Sequence, residues 1–256
     1  MKFIKKMKIL KSNRIVELYL IFRGLYFWGR RYSCPCCNRT FRSFLMGGGS
    51  FKVRKNGYCP RCNSKSRHRR DWLFLRSQTN LFDNEINLLH ISPAYCFSRK
   101  FVKLENLKYI GADIESNSNL SIRLNLMSLP IQSGKFDAVI CIHVLEHVED
   151  DIMAIEELAR VLKPGGWAFI SVPIRLDQNT YEDPSIVLPE KRREAFGEES
   201  HFRFYGIDLI DRLKKGGFDV KLDRGSNIDK NMMMKYGLND DENIFYCIKK
   251  EVNVNT

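Results

Sequence analysis

The chain has 256 residues, 44% of them hydrophobic and 12% aromatic, which suits one α/β domain plus a smaller appendage and excludes a disordered chain. Its formal charge of +12 is unevenly spread: residues 1–76 hold 20 Lys+Arg against 2 Asp+Glu, and the remainder holds 22 against 28. A separate basic N-terminal module joined to an acidic domain is therefore expected.

No run of ~20 apolar residues marks a conventional transmembrane span. Lys11 and Arg14 interrupt any signal-peptide core after the basic start, and no small-residue cleavage site follows. Residues 14–32 read as a helix in which arginines flank Tyr26, Phe27 and Trp28. Three uses suit such a basic amphipathic segment: packing on the rest of the protein, lying on a membrane surface, or contacting nucleic acid. Residues 1–32 are thus set apart as a basic amphipathic N-terminal helix.

Residues 33–70 form the second expected unit, with Gly47–Gly49 and Asn56-Gly57 marking turns. The eight cysteines stand at 34, 36, 37, 59, 62, 96, 141 and 247. Cys34-Pro-Cys-Cys37 and Cys59-Pro-Arg-Cys62 are two Cys-x-x-Cys knuckles about twenty residues apart, the spacing of a zinc ribbon. Four thiolates close a tetrahedral structural zinc site and lend folding energy to a short basic segment. Cys34, Cys37, Cys59 and Cys62 are the expected Zn2+ ligands, with Cys36 and His68 as substitutes and a redox dithiol as the other reading. The three remaining thiols lie singly in apolar surroundings, which fits a reducing, cytoplasmic compartment rather than a disulfide framework.

Residues 71–256 are expected to form the main domain. Strands are predicted at 87–92, 109–114, 122–126, 136–142, 167–172, 218–222 and 244–249. Helices are predicted around 95–104, 150–162 and 207–215. Ile152, Ile155, Leu158, Ala159 and Leu162 share one helical face. Lys163-Pro164-Gly165-Gly166 returns the chain to the sheet. Alternating strands and helices predict a mostly parallel Rossmann-like α/β sheet, with ligands beyond the carboxyl ends of its strands.

The segment FDAVICIHVLEHVEDDIMAIEELARVLKPGGWAFISVP, residues 136–173, resembles the second half of a class I S-adenosylmethionine-dependent methyltransferase of the type 11 style. Phe136-Asp137, Leu145-Glu146-His147 and Leu162-Lys163-Pro164-Gly165-Gly166 carry the likeness. Taken with the cysteine pairs, residues 33–250 resemble a bacterial subfamily bearing an N-terminal zinc-ribbon-like module. The resemblance implies a seven-stranded methyltransferase sheet and S-adenosyl-L-methionine as cofactor. It places Asp113 on the ribose hydroxyls, a role that suits a carboxylate because it accepts two hydrogen bonds at once. It places Asn125 and Leu126 at the adenine, and His143 and Glu146 in the loop beside the methyl donor. The family's first loop is glycine-rich; here it reads His90-Ile-Ser92-Pro-Ala94-Tyr95, so His90, Ser92 and Ala94 stand where the glycine contacts belong.

An insert at 174–205 follows the fifth strand and is placed to shape an acceptor pocket. His201, His147 and Tyr181 are the candidate catalytic residues, with Glu182 and Tyr205 beside them, since a base near the operating pH ionises a hydroxyl or amine acceptor. The expected activity is methyl transfer to a small molecule or glycan precursor, at the cytoplasmic face of the membrane if residues 1–32 lie on it. RNA methylation through the basic module is the alternative, and a non-catalytic binding module with an altered cofactor loop is another. A dinucleotide fold is disfavoured by the lack of Gly-x-Gly-x-x-Gly.

Overall fold

The computed structural model describes residues 2–47, 54–114 and 121–251. The chain separates into two compact units, one comprising the chain through Gln78 together with Ile228–Asp240, the other Thr79–Asn227 together with the chain from Asp241. Residues 71–78 and 228–240, expected from the sequence in the main domain, thus group with the basic unit.

In the basic unit, helix α1 (Lys2–Tyr26) is followed by strands β1 (Trp28–Cys34), β2 (Arg39–Phe41), β3 (Leu45–Gly47) and β4 (Arg54–Tyr58), then helix α2 (Ser66–Gln78). Residues 28–32, expected to continue the first helix, are extended instead. Strand β1 pairs antiparallel with β2, and Arg42 N–H donates to the Phe27 carbonyl at 2.9 Å. A Cβ on Gly29 would lie 2.6 Å from the Arg42 nitrogen, so the pairing depends on a glycine at that point. Strands β3 and β4 form a second antiparallel pair. Among the described residues, no helix is long and apolar enough to cross a membrane.

Arg69 organises this unit from within. It is fully buried, with its guanidinium 4.1 Å from the Phe44 ring centroid. It donates to the carbonyls of Ser64, Asn56, Tyr236 and Gly237 at 2.6–2.9 Å. Two of these acceptors close the helix Lys230–Tyr236, which the sequence reading missed. Gly237 caps it at φ +58°, where a Cβ would meet the Phe44 ring at 2.8 Å.

The second unit is built on a seven-stranded sheet. Its strands are β5 (Ile86–Ile91), β6 (Leu107–Asp113), β7 (Ser121–Arg123), β8 (Phe136–Ile142), β9 (Leu162–Ser171), β12 (Phe218–Asp223) and β13 (Ile244–Lys249). Between β9 and β12 lies a two-stranded pair, β10 (Tyr181–Glu182) with β11 (Arg203–Phe204). The sheet order is β12-β13-β9-β8-β5-β6-β7, and only β13 runs against the others. Strand order reverses between β5 and β8, the switch point at which such sheets bind ligands.

Helices α3 (Tyr95–Phe101), α4 (Asp151–Val161), α5 (Pro189–Phe196) and α6 (Leu209–Lys215) accompany the sheet. Leu89, Ile91, Val139, Cys141 and Ile170 form a core with Ile155, Leu158 and Leu213. The alternation of strand side chains turns His90 to the other face. Asp150 caps α4 by accepting from Met153 N–H at 2.9 Å. The strand expected at 167–172 begins earlier, at Leu162, and extends through Lys163-Pro-Gly-Gly. Asp137 explains much of the Phe-Asp and Leu-Lys-Pro-Gly-Gly pattern. Its carboxylate accepts from Lys163 Nζ at 2.5 Å and from Asn87 at 2.7 and 2.8 Å, clamping β5, β8 and β9.

Candidate active site and metal centre

A cavity of about 580 Å³ opens beyond the carboxyl ends of β5, β6 and β8. Ser92, Asp113, Asn125, Leu126, His143 and His147 line it, together with Ser200 and Phe202 from the insert. Six expected site residues from four chain segments therefore meet in one hollow, of the size that small-molecule sites use.

The backbone reaches this cavity through two left-handed residues. Ser92 has φ +46° and His143 φ +53°, and the other described non-glycine residues with positive φ are three asparagines. Such a conformation costs a non-glycine residue about 1–2 kcal/mol. Ser92 thus makes without glycine the turn that a glycine-rich loop makes. Its Oγ donates to Asp113 Oδ2 at 3.2 Å, which ties the first loop to the acid at the end of β6. Asn125 Oδ1 accepts from Met127 N–H at 3.0 Å, leaving its amide nitrogen for a ligand.

Beside the cavity, His143 Nδ1 lies 3.1 Å from Glu146 Oε1. Burial opposes ionisation of Glu146, yet the hydrogen bond and charge of His143 hold its carboxyl below the ordinary range. Glu146 Oε2 and His143 Nε2 are buried polar atoms without a partner among the described residues. Orphaned buried atoms of this kind are what a polar ligand would satisfy; His143 lines the cavity, whereas Glu146 does not and touches it through His143. His147 Nδ1 lies 2.9 Å from Ser200 Oγ, and its ring meets that of His201 edge to face, centroids 4.7 Å apart. Nδ1 of His201 donates to the Phe196 carbonyl at 3.1 Å, and Nε2 lies 3.4 Å from Glu198 Oε2. Burial lowers the His201 pKa below its ordinary value. Glu146, His147 and His201 each offer a ligand-capable atom within 4.8 Å of the others.

Several expected residues sit elsewhere. His90 is fully buried among Phe97, Phe101 and Tyr109, away from the cavity, and burial pushes its pKa down to about 3. It faces the α3 side of the sheet, so it is a core ring rather than a cofactor contact. Ala94 caps α3 and does not line the cavity, nor does Tyr181, whose ring packs against Phe196. Tyr205 is buried and donates its hydroxyl to Asp151 at 2.8 Å. Glu182 is engaged by Arg203 at 2.9 Å and Arg212 at 2.6 Å.

Sequence reasoning missed Arg203. Its guanidinium, almost wholly buried, donates to the carbonyls of Leu145, Val148 and Glu149, while Phe202 N–H donates to the Glu146 carbonyl at 2.9 Å. The insert is thereby stitched along the loop that carries Glu146 and His147. A lone arginine in a polar stretch gives no signal of this.

In the basic unit, the thiols of Cys34, Cys37, Cys59 and Cys62 lie within 4.8 Å of one another. The Cys34–Cys62 and Cys37–Cys59 sulfur separations are 3.6 and 3.7 Å. Metal–sulfur bonds of about 2.3 Å place tetrahedral ligands about 3.8 Å apart, so the cluster has the dimensions of a four-thiolate site. Each knuckle closes with an asparagine at positive φ, Asn38 and Asn63, whose N–H donates to the carbonyl of Cys34 or Cys59 at 2.9 and 3.0 Å. Burial opposes ionisation of Cys34, but hydrogen bonds from the surrounding thiols hold it well below the ordinary thiol value. Cys36 is not one of the four mutually close thiols, though it hydrogen-bonds Cys34; its thiol donates to the His68 carbonyl at 3.4 Å, and His68 Nδ1 accepts from Lys65 N–H at 3.3 Å.

Residues 89–170 match the family model described as "Methyltransferase domain". A ubiquinone biosynthesis O-methyltransferase of Thiobacillus denitrificans is 50% identical over 38 residues, 15% of this chain and 16% of its own length. The protein of the same name from Xanthomonas campestris pv. campestris is 52% identical over 87 residues, 34% of this chain and 33% of its own. The chain thus spans no more than about a third of the length of these curated relatives. Among solved structures, an S-adenosylmethionine-dependent methyltransferase from Mesorhizobium loti superposes with a TM-score of 0.52 at 14% identity, covering 70% of this chain and 97% of that one. The [4+2]-cyclase SpnF gives 0.51 at 16% identity, covering 74% and 84%. At such identities the likeness is one of fold, and one fold hosts more than one reaction.

Proposed function

We propose that this chain, which carries a methyltransferase domain of the class I S-adenosylmethionine-dependent fold, moves a methyl group to a hydroxyl of a small molecule or glycan precursor. The observation that carries this reading is a single cavity that joins Ser92 and Asp113 to His147. Asp113 would hold the ribose hydroxyls, and Asn125 and Leu126 would border the adenine. His143 and Glu146, with their orphaned polar atoms, would face the amino-acid end. When bound, S-adenosylmethionine supplies an activated methyl on a sulfonium, so the protein's main work is alignment and exclusion of water.

His147 lines the cavity, as His143 does, and of the two it is His147 that His201 braces edge to face. Within this reading His147 takes the acceptor proton and His201 holds its ring. The relatives' printed names, as O-methyltransferases, favour an oxygen acceptor.

Zn2+ in the four-cysteine cluster is a structural ion in the same reading, because four thiols at tetrahedral spacing, three buried and one half-buried, suit it. Association of residues 1–32 with a membrane surface, at the cytoplasmic face, completes the proposal.

Titration calorimetry with S-adenosylmethionine and S-adenosylhomocysteine is the test. Micromolar binding of either is the expected result. Absence of binding to both, in protein whose sheet is intact, would leave a non-catalytic module in place of the enzyme.

A further inference from the structure

Helix α1 keeps a row of apolar side chains on its outer face as well as burying Leu20 on its inner one. Toward the protein it turns Glu17, Leu20 and Gly24: Leu20 is 1% exposed, Glu17 pairs with Arg61 at 2.5 Å, and Gly24 lies against the Arg61 side chain. Toward solvent it turns Ile15, Leu18, Tyr19, Phe22, Leu25 and Tyr26, each more than half exposed. These six recur at three- and four-residue spacing and form one apolar stripe. Trp28, 66% exposed, extends it past the helix end. Soluble surfaces rarely leave such a stripe bare unless something docks there.

The surroundings of the stripe select its partner. The sequence of residues 1–32 carries nine Lys or Arg and one acidic residue. Arg23 lies over the Tyr19 ring and Arg42 over Tyr26, at 5.2 and 4.8 Å from the centroids. Aliphatic and aromatic side chains bordered by cations match the boundary between acyl chains and anionic headgroups. An RNA partner would leave Ile15, Leu18 and Leu25 without bases to stack on.

The inner face holds α1 to the second cysteine knuckle. Arg23 Nε donates to the Pro60 carbonyl at 2.7 Å, and its guanidinium also donates to Asn63 Oδ1. Both acceptors belong to the turn Cys59-Pro-Arg-Cys62-Asn63. The knuckle is thus a socket that fixes the rotation of the helix about its axis and keeps the stripe outward.

We infer that, within the membrane association proposed above, the Ile15–Tyr26 stripe of α1 is a preformed docking face for an anionic lipid bilayer, oriented by the metal-bound knuckle.

The test uses full-length, zinc-loaded protein sedimented with vesicles of phosphatidylcholine alone and of an equimolar mixture with phosphatidylglycerol. Binding to the anionic vesicles, weakened by salt, is expected. Leu18→Glu with Phe22→Glu should lower the bound fraction about tenfold or more, at unchanged zinc content and unchanged S-adenosylmethionine affinity. Affinity for S-adenosylmethionine, read on the same samples, tests the enzyme reading separately from the docking face. Equal sedimentation of the double variant overturns the proposal. So does a stable dimer that this variant dissociates, or salt-sensitive RNA binding without vesicle binding. Chelating the zinc should reduce vesicle binding; unchanged binding would overturn the socket.

Discussion

His147 and His201, separated by more than fifty residues in the chain, bring their rings together edge to face with centroids 4.7 Å apart. One ring lines the cavity and the other is buried behind it. If His147 accepts the proton, His147→Ala should lower kcat about a hundredfold or more while S-adenosylmethionine affinity stays near wild type. His201→Ala should lower it less. Burial depresses the His201 pKa, which favours the neutral ring. The acid limb of kcat against pH should therefore change little in shape for His201→Phe.

Asp113 gives the most direct binding prediction. Losing hydrogen bonds to a carboxylate costs about 1.5–3 kcal/mol each, so Asp113→Ala should weaken S-adenosylmethionine binding at least tenfold with the fold intact. Calorimetry showing unchanged affinity would remove Asp113 from the site.

His90 makes a stability prediction with a definite sign. Its folded pKa of about 3 lies below the ordinary value of 6.5, so the unfolded chain binds the extra proton. The contribution is fully present above about pH 6.5 and is lost on acidification towards pH 3, at about 1.4 kcal/mol per pH unit within that window. His90→Phe, entering a pocket of Phe97, Phe101 and Tyr109, should flatten the acid side of a plot of unfolding free energy against pH. An unaltered plot would refute the assignment.

The cysteine cluster predicts a contrast between neighbours. Cys37→Ser should abolish stoichiometric zinc, whereas Cys36→Ser, whose thiol meets a carbonyl outside the cluster, should keep about one zinc per chain. Elemental analysis of the two purified variants decides the matter.

Arg203 should behave as a buried, fully engaged cation. Removing one partner of a buried pair typically costs about 3–5 kcal/mol. Arg203→Ala is expected to destabilise by that order in denaturant unfolding, because it takes a buried cation from beside Asp151 and frees the carbonyls of Leu145, Val148 and Glu149, while Glu182 keeps Arg212.

The legible parts of this molecule were those written in local spacing. The two Cys-Pro-x-Cys-Asn turns announce themselves, since each carries its own left-handed asparagine. Strand β8 and the Asp137–Lys163 clamp fall within one continuous motif. Strand β1 was hidden because its aromatic and arginine residues continue the texture of α1, and only pairing with β2 decides its conformation. His90 misled because a strand residue beside a ligand loop points either to the loop or to the core, and sequence does not say which. The meeting of Ser200, His201 and Arg203 with the loop around Glu146 and His147 depends on a long-range return of the chain. No local pattern encodes that.

The capped helix Lys230–Tyr236 has a consequence for how this protein is handled as modules. The chain leaves β12, lends residues 228–240 to the cysteine unit, and comes back as β13. A cut after residue 78 would therefore not yield a clean catalytic fragment, because it strands the carbonyls of Tyr236 and Gly237 without Arg69. Transplanting the cysteine unit onto another scaffold would require two grafts, one of them inside the β12–β13 hairpin. The module boundary runs through space rather than along the sequence, and recombination or truncation must respect both crossings.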